Sequence, residues 1–348
     1  MGITRGCIYV VFKRVVQFFI VFLVITSVAL GAGFWYAQQR LQQSLQLAQP
    51  LLFEVKRGMH ARTVLQQLQR QGADIHVSEA YIVSRLLDDP SRLQAGVYQL
   101  STTDSLQSLW RKLRLGEQHL FQVALIEGRT LHEWLQVLSK AEHIEEPLQF
   151  THKHEAAERV AELLGMDSTS AEGWLFPDTY SYRAGTSVLD ILREAHLRMQ
   201  AELSETWQTR ANDLPYENAY ELLIMASIIE KETGLKGERK RVSSVFINRI
   251  NKGMRLQSDP TTIYGIEPFD GNITRAHLRE ETAYNTYRIS GLPPSPIAMP
   301  SKASLEAAAH PEHSDYFYFV ADGSGGHVFS KTLAEHNKAV NRYQRNQR

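Results

Sequence analysis

Two glutamates one residue apart, Glu230 and Glu232, close the apolar run "ELLIMASII" in the stretch "SIIEKETG". Carboxylates set against such a run need a partner or a purpose, because burying an unpaired charge is costly. On a helix over 219–233, Glu232 stacks over Ile228 and Ile229, with Met225 one turn back. Glu230 stacks over Ala226, Ser227 and Leu223, a smaller and more polar column. The two carboxyl groups point about 200° apart on the helical wheel, so they are not a matched pair. Glu232 also falls in the last turn, ahead of Thr233 and a predicted C-cap at Gly234. The negative end of the helix dipole and the apolar neighbours both disfavour its anion and raise its pKa. A carboxyl group kept partly protonated near neutral pH is what a general acid must be. The bland alternative is a solvated glutamate at a helix end, and geometry alone leaves both open. Glu230, with Arg or Lys neighbours, is the candidate for a structural ion pair.

Other chemistries lack their residues. There is no HExxH; "HKHEA" has the wrong order. There is no SxxK or GxSxG, which argues against penicillin-binding and α/β-hydrolase chemistry. The glycine-rich "ADGSGGHVFS" follows a late strand without the lysine and helix of a phosphate loop, and reads as a hairpin turn. His310, His313, His327 and His336 lack metal-ligand spacing and read as surface or packing residues. A single cysteine, Cys7, excludes a disulfide within the chain and a zinc site built on several thiolates. The 38 basic residues balance 38 acidic ones, so no global charge draws the chain to nucleic acid.

The elements that must position Glu232 follow from the rest of the 348 residues, enough for about two domains. Residues 15–37, "VVQFFIVFLVITSVALGAGFWYA", carry no charge. A bilayer core needs about 20 such residues in a helix. Arg5, Lys13 and Arg14 precede the run, and Trp35 and Tyr36 sit near its far end. That predicts a cytoplasmic tail over 1–14, a transmembrane helix over 15–37, and export of everything after it. A cleaved signal peptide is the rival, since "ALGAG" offers small residues. The run exceeds a signal core of about 7–15 residues, which favours an uncleaved anchor. Residues 38–50 read as a short helical stalk or linker.

"VKRGMHARTVLQQL" from Val55 and "IEGRTLHEWLQVL" from Ile126 align at Gly58 and Gly128, each a short strand, a glycine turn and an amphipathic helix. "YRAGTSVLDIL", around Gly185, is a looser third copy, and common strand–turn–helix grammar alone can account for the pattern. Residues 51–120 form a small α+β module, and 121–348 a mixed α+β domain with a central glutamate-bearing helix. Within it, "GWLFPDTYSY" (173–182) is a loop or strand, helices are expected over 219–233 and 238–251, and a Pro/Gly/Asn/Tyr-rich region spans 256–301. A terminal strand (316–322) and a final helix close the chain.

The strings "ASIIEKET", "RVSSVFINRI", "GMRLQSDPTTIYG", "TAYNTYRISGLPPSPIAMPS", "SLEAAAHP" and "YFYFVADGSGGHVFS" resemble, in order, the endolytic murein transglycosylase family (MltG, YceG-like). The likeness covers roughly 215–340 and extends more weakly through "EGWLFPDTYSY" and "VKRGMHARTVLQQL". It implies a single-pass inner-membrane protein, N-terminus cytoplasmic, with 51–120 a LysM-like module and 121–348 a periplasmic catalytic domain. It also implies that the acid is the second glutamate of "EKET", Glu232 here. The reaction would cleave the bond between N-acetylmuramic acid and N-acetylglucosamine within nascent strands, leaving 1,6-anhydro ends and no need of metal or cofactor. Implied partners are peptidoglycan strands and the glycan polymerases of wall synthesis.

Several polar and aromatic residues are candidates to grip the glycan. Asn248 lies one helix on, and Gln257 and Asp259 occur in "LQSDPTT", where Ser258-Asp259-Pro260 is equally a good helix start. Tyr264, Tyr284, Asn285 and Tyr287 fall in loop-like sequence, core packing being the alternative for each. "GLPPSPIAMPS" suits a rigid cleft wall. Two other functions stay open: a glycan-binding scaffold with the glutamate incidental, and a conventional hydrolase using Glu232 and Asp259 as its two carboxylates.

Overall fold

The structure, a computed structural model, describes residues 4–345. Of the tail expected over 1–14, residues 1–3 lie outside the described residues. The chain divides into two compact units, Met1–Leu120 and Phe121–Arg348.

The first unit opens with α1 (Thr4–Gln42), a continuous helix longer than the predicted span. Its segment Phe12–Gln42 is long and apolar enough to cross a membrane, its most apolar 18-residue stretch having a mean hydropathy of 2.5. Its apolar side chains, Phe18, Phe22 and Leu30 among them, are exposed, as a lipid-facing surface would be. The stretch 38–50 differs from a free stalk. It is helical only to Gln42, and Leu41, Leu45 and Leu47 are buried in the core of this unit. Arg40 fixes the helix end by donating from Nε and Nη2 to the two carboxylate oxygens of Glu79, at 2.7 and 2.9 Å. Strand β1 (Leu51–Val55) pairs antiparallel with β2 (Gly96–Leu100), placing Phe53 opposite Tyr98. Helices α2 (Ala61–Arg70), α3 (Val77–Leu87) and α4 (Leu106–Leu115) contribute Leu65, Val83 and Trp110 to the same core. The Trp110 indole donates to Ser84 Oγ at 2.7 Å, so this large buried ring leaves no polar atom unpaired.

The second unit pairs β3 (Phe121–Leu125) antiparallel with β4 (Asp178–Tyr182), around α5 (Leu131–Leu138) and α6 (Lys153–Leu164). All three copies of the internal pattern fold alike: β1 leads through Gly58 to α2, β3 through Gly128 to α5, and β4 through Gly185 to α7 (Val188–Thr209). The three glycines have φ of 81°, 74° and 85°, a region side chains disfavour.

Helix α8 (Ala219–Glu232) is the centre of this unit. Every residue from Leu222 to Ile229 is buried, the signature of a helix apolar all round. It packs against α7, α9 (Arg239–Asn251) and α11 (Lys302–Ala309). Asn218 caps its start, Oδ1 accepting from the Glu221 N–H at 3.1 Å. Its end departs from expectation. Thr233, not Gly234, is the C-cap, extended at φ −145°, ψ 129°, with its N–H donating to the Ile229 carbonyl. The chain leaves Glu232 without a left-handed turn, so the glycine's freedom is not used there. Helix α10 (Asp259–Gly265) interrupts the irregular 256–301 region, starting at the Ser258-Asp259-Pro260 signal. Strands β5 (Tyr318–Ala321) and β6 (His327–Ser330) form a hairpin over the turn 322–326, and α12 (Leu333–Val340) follows.

Candidate active site

The two glutamates have opposite surroundings. Glu230 lies against Arg239, whose Nη2 donates to Oε1 at 3.1 Å, and both side chains are almost fully buried. Its other oxygen accepts from the Ser301 N–H at 2.9 Å, from the Ser301 hydroxyl, and from Ser304 Oγ at 2.7 Å. That carboxylate is neutralised and satisfied by protein groups. Glu232 ends α8 on a cleft of about 320 Å³. Ser258 Oγ donates to Glu232 Oε1 at 2.5 Å. Among the described residues no protein group bonds Oε2, and Glu232 lines the cleft. Burial pushes the carboxyl up to about 7, against the Ser258 hydrogen bond, which favours the anion, and with the nearby Asp259 charge, which opposes it. Glu232 is thus a carboxylic acid titrating near neutrality, with one oxygen held and the other free.

Gln257, Asp259 and Tyr287 line the same cleft. Tyr287 donates its hydroxyl to Asp259 Oδ1 at 2.7 Å. Gln257 adopts φ 54°, and its N–H donates to the Thr286 carbonyl at 3.2 Å. The other four predicted grip residues are not among those lining this cleft. Asn248 is turned to the 314–316 segment, its Nδ2 donating to the carbonyls of Ser314 and Tyr316 at 2.8 and 2.9 Å. Asn285 is fully buried and ties its own loop, donating to the carbonyls of His277 and Glu280. Tyr264 and Tyr284 pack on each other and on His154. Their hydroxyls are taken by Glu172 and Ser295. In each case the polar group satisfies the protein's own backbone or core.

The cleft also contains residues that the sequence reading did not single out for it. Arg249 from α9, Tyr318 and Phe319 from the hairpin, and His336 from α12 also line it. His336, expected as surface or packing, stacks on Tyr318 with ring centroids 5.3 Å apart. Its Nδ1 is buried without a partner among the described residues. Arg249 had a findable signal: a cation between Phe246 and Ile250 on a largely buried helix, the contrast that singled out Glu232. Among the described residues no three of His, Cys, Asp and Glu gather as metal ligands.

Glu172, from the "EGWLFPDTYSY" stretch, is a buried carboxyl outside this cleft. It accepts from the Leu131 N–H at the start of α5 (3.0 Å) and from the Tyr264 hydroxyl of α10 (3.1 Å). Burial raises it to about 8, so the folded state holds a proton that the unfolded chain releases near pH 4.5. Its contribution to stability is complete below pH 4.5 and is lost as pH rises toward 8. Glu172→Gln is therefore expected to flatten the decline of Tm across that window. Parallel Tm–pH curves for wild type and variant would contradict a buried neutral Glu172.

A family model, the YceG-like family, matches residues 53–342. A Bacillus subtilis (strain 168) protein named endolytic murein transglycosylase is 33% identical over 266 residues, 73% of this chain and 74% of that protein. A Streptococcus pneumoniae serotype 2 protein of the same name is 28% identical over 279 residues, covering 71% of this chain and 50% of that protein. This chain thus spans about half the length of the pneumococcal relative. A crystal structure of a yceG-like protein from Listeria monocytogenes aligns with a TM-score of 0.49 at 28% identity, covering 83% of this chain and 98% of that one.

Proposed function

Since this chain belongs to the YceG-like family, we propose that it is an endolytic murein transglycosylase and that Glu232 is its sole acid–base group. The observation that carries the role of Glu232 is its divided carboxyl group. Oε1 is held by Ser258, while Oε2 is unbonded on the cleft and the group titrates near 7. The proton sits on the free oxygen, where a sugar bridge can take it.

The reaction then proceeds in balance. Oε2–H protonates the bridging oxygen as the bond from muramyl C1 breaks, and the N-acetylglucosamine portion leaves with a hydroxyl. The resulting carboxylate takes the proton of the muramyl C6 hydroxyl as O6 bonds to C1, which closes a 1,6-anhydro ring and restores the acid. Water is not consumed. The attacking hydroxyl already belongs to the substrate, so proximity replaces an activated water. Tyr287, Tyr318 and Phe319 give the cleft an aromatic lining suited to sugar rings. In this reading α1 anchors the chain in the inner membrane, 51–120 is a LysM-like module, and the catalytic domain lies in the periplasm beside glycan polymerases.

A second reading rests on Asp259, which shares the cleft and opposes the charge of Glu232. With two carboxylates the enzyme would be a hydrolase, activating water instead of the internal hydroxyl.

The test of endolytic action is strand length. Glycan strands incubated with the full chain in detergent are expected to shorten rapidly without early release of disaccharide. Disaccharide as the first product, or no shortening, would contradict the proposal. Because the acid must be protonated, the rate should fall about tenfold per pH unit above roughly 7. Ser258→Ala removes a bond that favours the anion, so that limb should move to higher pH. A limb that moves down, or stays in place, would separate Ser258 from the acid.

A further inference from the structure

Arg249 is a cation in a cleft whose chemistry gains nothing from one. It is 8% exposed. Its Nε donates to the Phe317 carbonyl at 2.7 Å. Its Nη1 donates to the carbonyls of Leu256 and Arg255, at 2.7 and 3.3 Å, with Gln257 Oε1 at 3.4 Å. The guanidinium lies 5.2 Å from the centroid of the Tyr318 ring, whose partner in stacking is His336. This scaffold uses every donor but one nitrogen. Among the described residues Nη2 has no protein partner, and it is not among the buried polar atoms cut off from solvent. Arg249 lines the same cleft as Glu232, and Nη2 is the nitrogen its scaffold leaves uncommitted there.

The electrostatics sharpen the point. Burial disfavours the guanidinium itself, and its charge favours the anion of Glu232, the wrong form for an acid. A fixed cation also opposes the positive charge that develops at an anomeric carbon during cleavage. A buried charge kept against these penalties calls for an electron-rich partner. Within murein, hydroxyls are weak partners for a guanidinium, whereas acyl oxygens are strong ones. These occur as the 2-acetamido carbonyl and as the carboxyl-derived oxygen of the 3-O-lactyl group on the muramyl ring.

We propose that Arg249 Nη2 binds an acyl oxygen of the muramyl residue and so selects acylated sugars for the cleft. The inference rests on the reading of this cleft as a murein site, and it adds a specificity-determining residue to it. With the cation engaged by substrate, its opposition to the acid and to the developing charge is relieved only when an acylated ring is seated.

The test measures binding to the full chain in detergent, in a Glu232→Gln background that prevents turnover. The probes are chitohexaose, which carries acetamido groups only, and amidase-stripped glycan strands, which carry acetamido groups and lactyl carboxylates. Adding Arg249→Lys should weaken binding at least tenfold. Loss with both probes assigns the acetamido oxygen, and loss with stripped strands alone assigns the lactyl oxygen. Unchanged affinity for both overturns the proposal. Because Arg249 also holds the carbonyls of Leu256 and Phe317, a second arm leaves it in place and alters the ligand. Chitohexaose is compared with cellohexaose, and stripped strands with strands whose lactyl carboxylates are reduced to alcohols. A tenfold or greater preference for the acylated member of either pair supports the proposal; equal affinity within both pairs overturns it. Wild-type enzyme that shortens strands while Arg249→Lys binds normally overturns this inference alone. Strands left intact by wild type overturn the functional reading and this inference with it.

Discussion

Glu232→Gln is expected to reduce cleavage by roughly a thousandfold or more while leaving the fold intact, since general acid–base catalysis contributes about 10²–10⁴ and one group serves both proton transfers here. The amide is nearly isosteric, and its oxygen can still accept the Ser258 hydroxyl that Oε1 accepts at 2.5 Å. It has no proton to deliver to a bridging oxygen and cannot act as a base toward the C6 hydroxyl. The substitution also replaces an ionisable group raised to about 7 by burial with a neutral one, so Tm should stay level or rise. Strand-shortening rates and thermal melts of the two proteins check both halves. A variant that cuts at the wild-type rate would remove Glu232 from the mechanism.

The second large effect is on stability and falls on the other glutamate. Glu230→Ala leaves Arg239 as an unpaired buried cation and strips Ser301 and Ser304 of their acceptor at the start of α11. Breaking a buried pair by removing one partner typically costs about 3–5 kcal/mol. Arg239 is poorly placed to recover, because its Nε already lacks a partner. Urea unfolding should show a loss of that order, and Glu230→Gln, which keeps an acceptor for the serines, a smaller one. A loss below about 1 kcal/mol for the alanine variant would contradict the buried ion pair. Two carboxylates separated by one residue would then show opposite phenotypes, one in rate and one in stability.

What the sequence made legible follows from how local each signal was. The wheel that set Glu232 over Ile228 and Ile229 needed only one helix, and both isoleucines are fully buried. The strand–glycine–helix copies were equally local, each carried by a few residues around a glycine of positive φ. The rest of the cleft's lining was not local. Tyr318, Phe319 and His336 reach Glu232 because a hairpin and a terminal helix fold back across α9, a long-range arrangement no residue spacing encodes. Conversely, Tyr264, Tyr284 and Asn285 looked like ligand-gripping groups because a loop rich in aromatic and amide side chains resembles a binding surface. The loop is packed, and those groups pair with Glu172, Ser295 and backbone carbonyls. The end of α8 shows the same limit on a smaller scale. Gly234 resembled a left-handed cap, but the chain runs on extended from Thr233.

The proposal that one carboxyl group both gives and takes the proton is tested most directly by the mass of the new chain ends. Peptidoglycan cut by the full-length wild-type enzyme should carry muramyl ends lighter by one water than hydrolytic ends, the mark of an internal 1,6-anhydro bond, and Glu232→Gln should yield neither form. Reducing muramyl ends from the wild-type enzyme would mean that water is the attacking group. Asp259 would then take the second role, and a mechanism resting on Glu232 alone would be wrong.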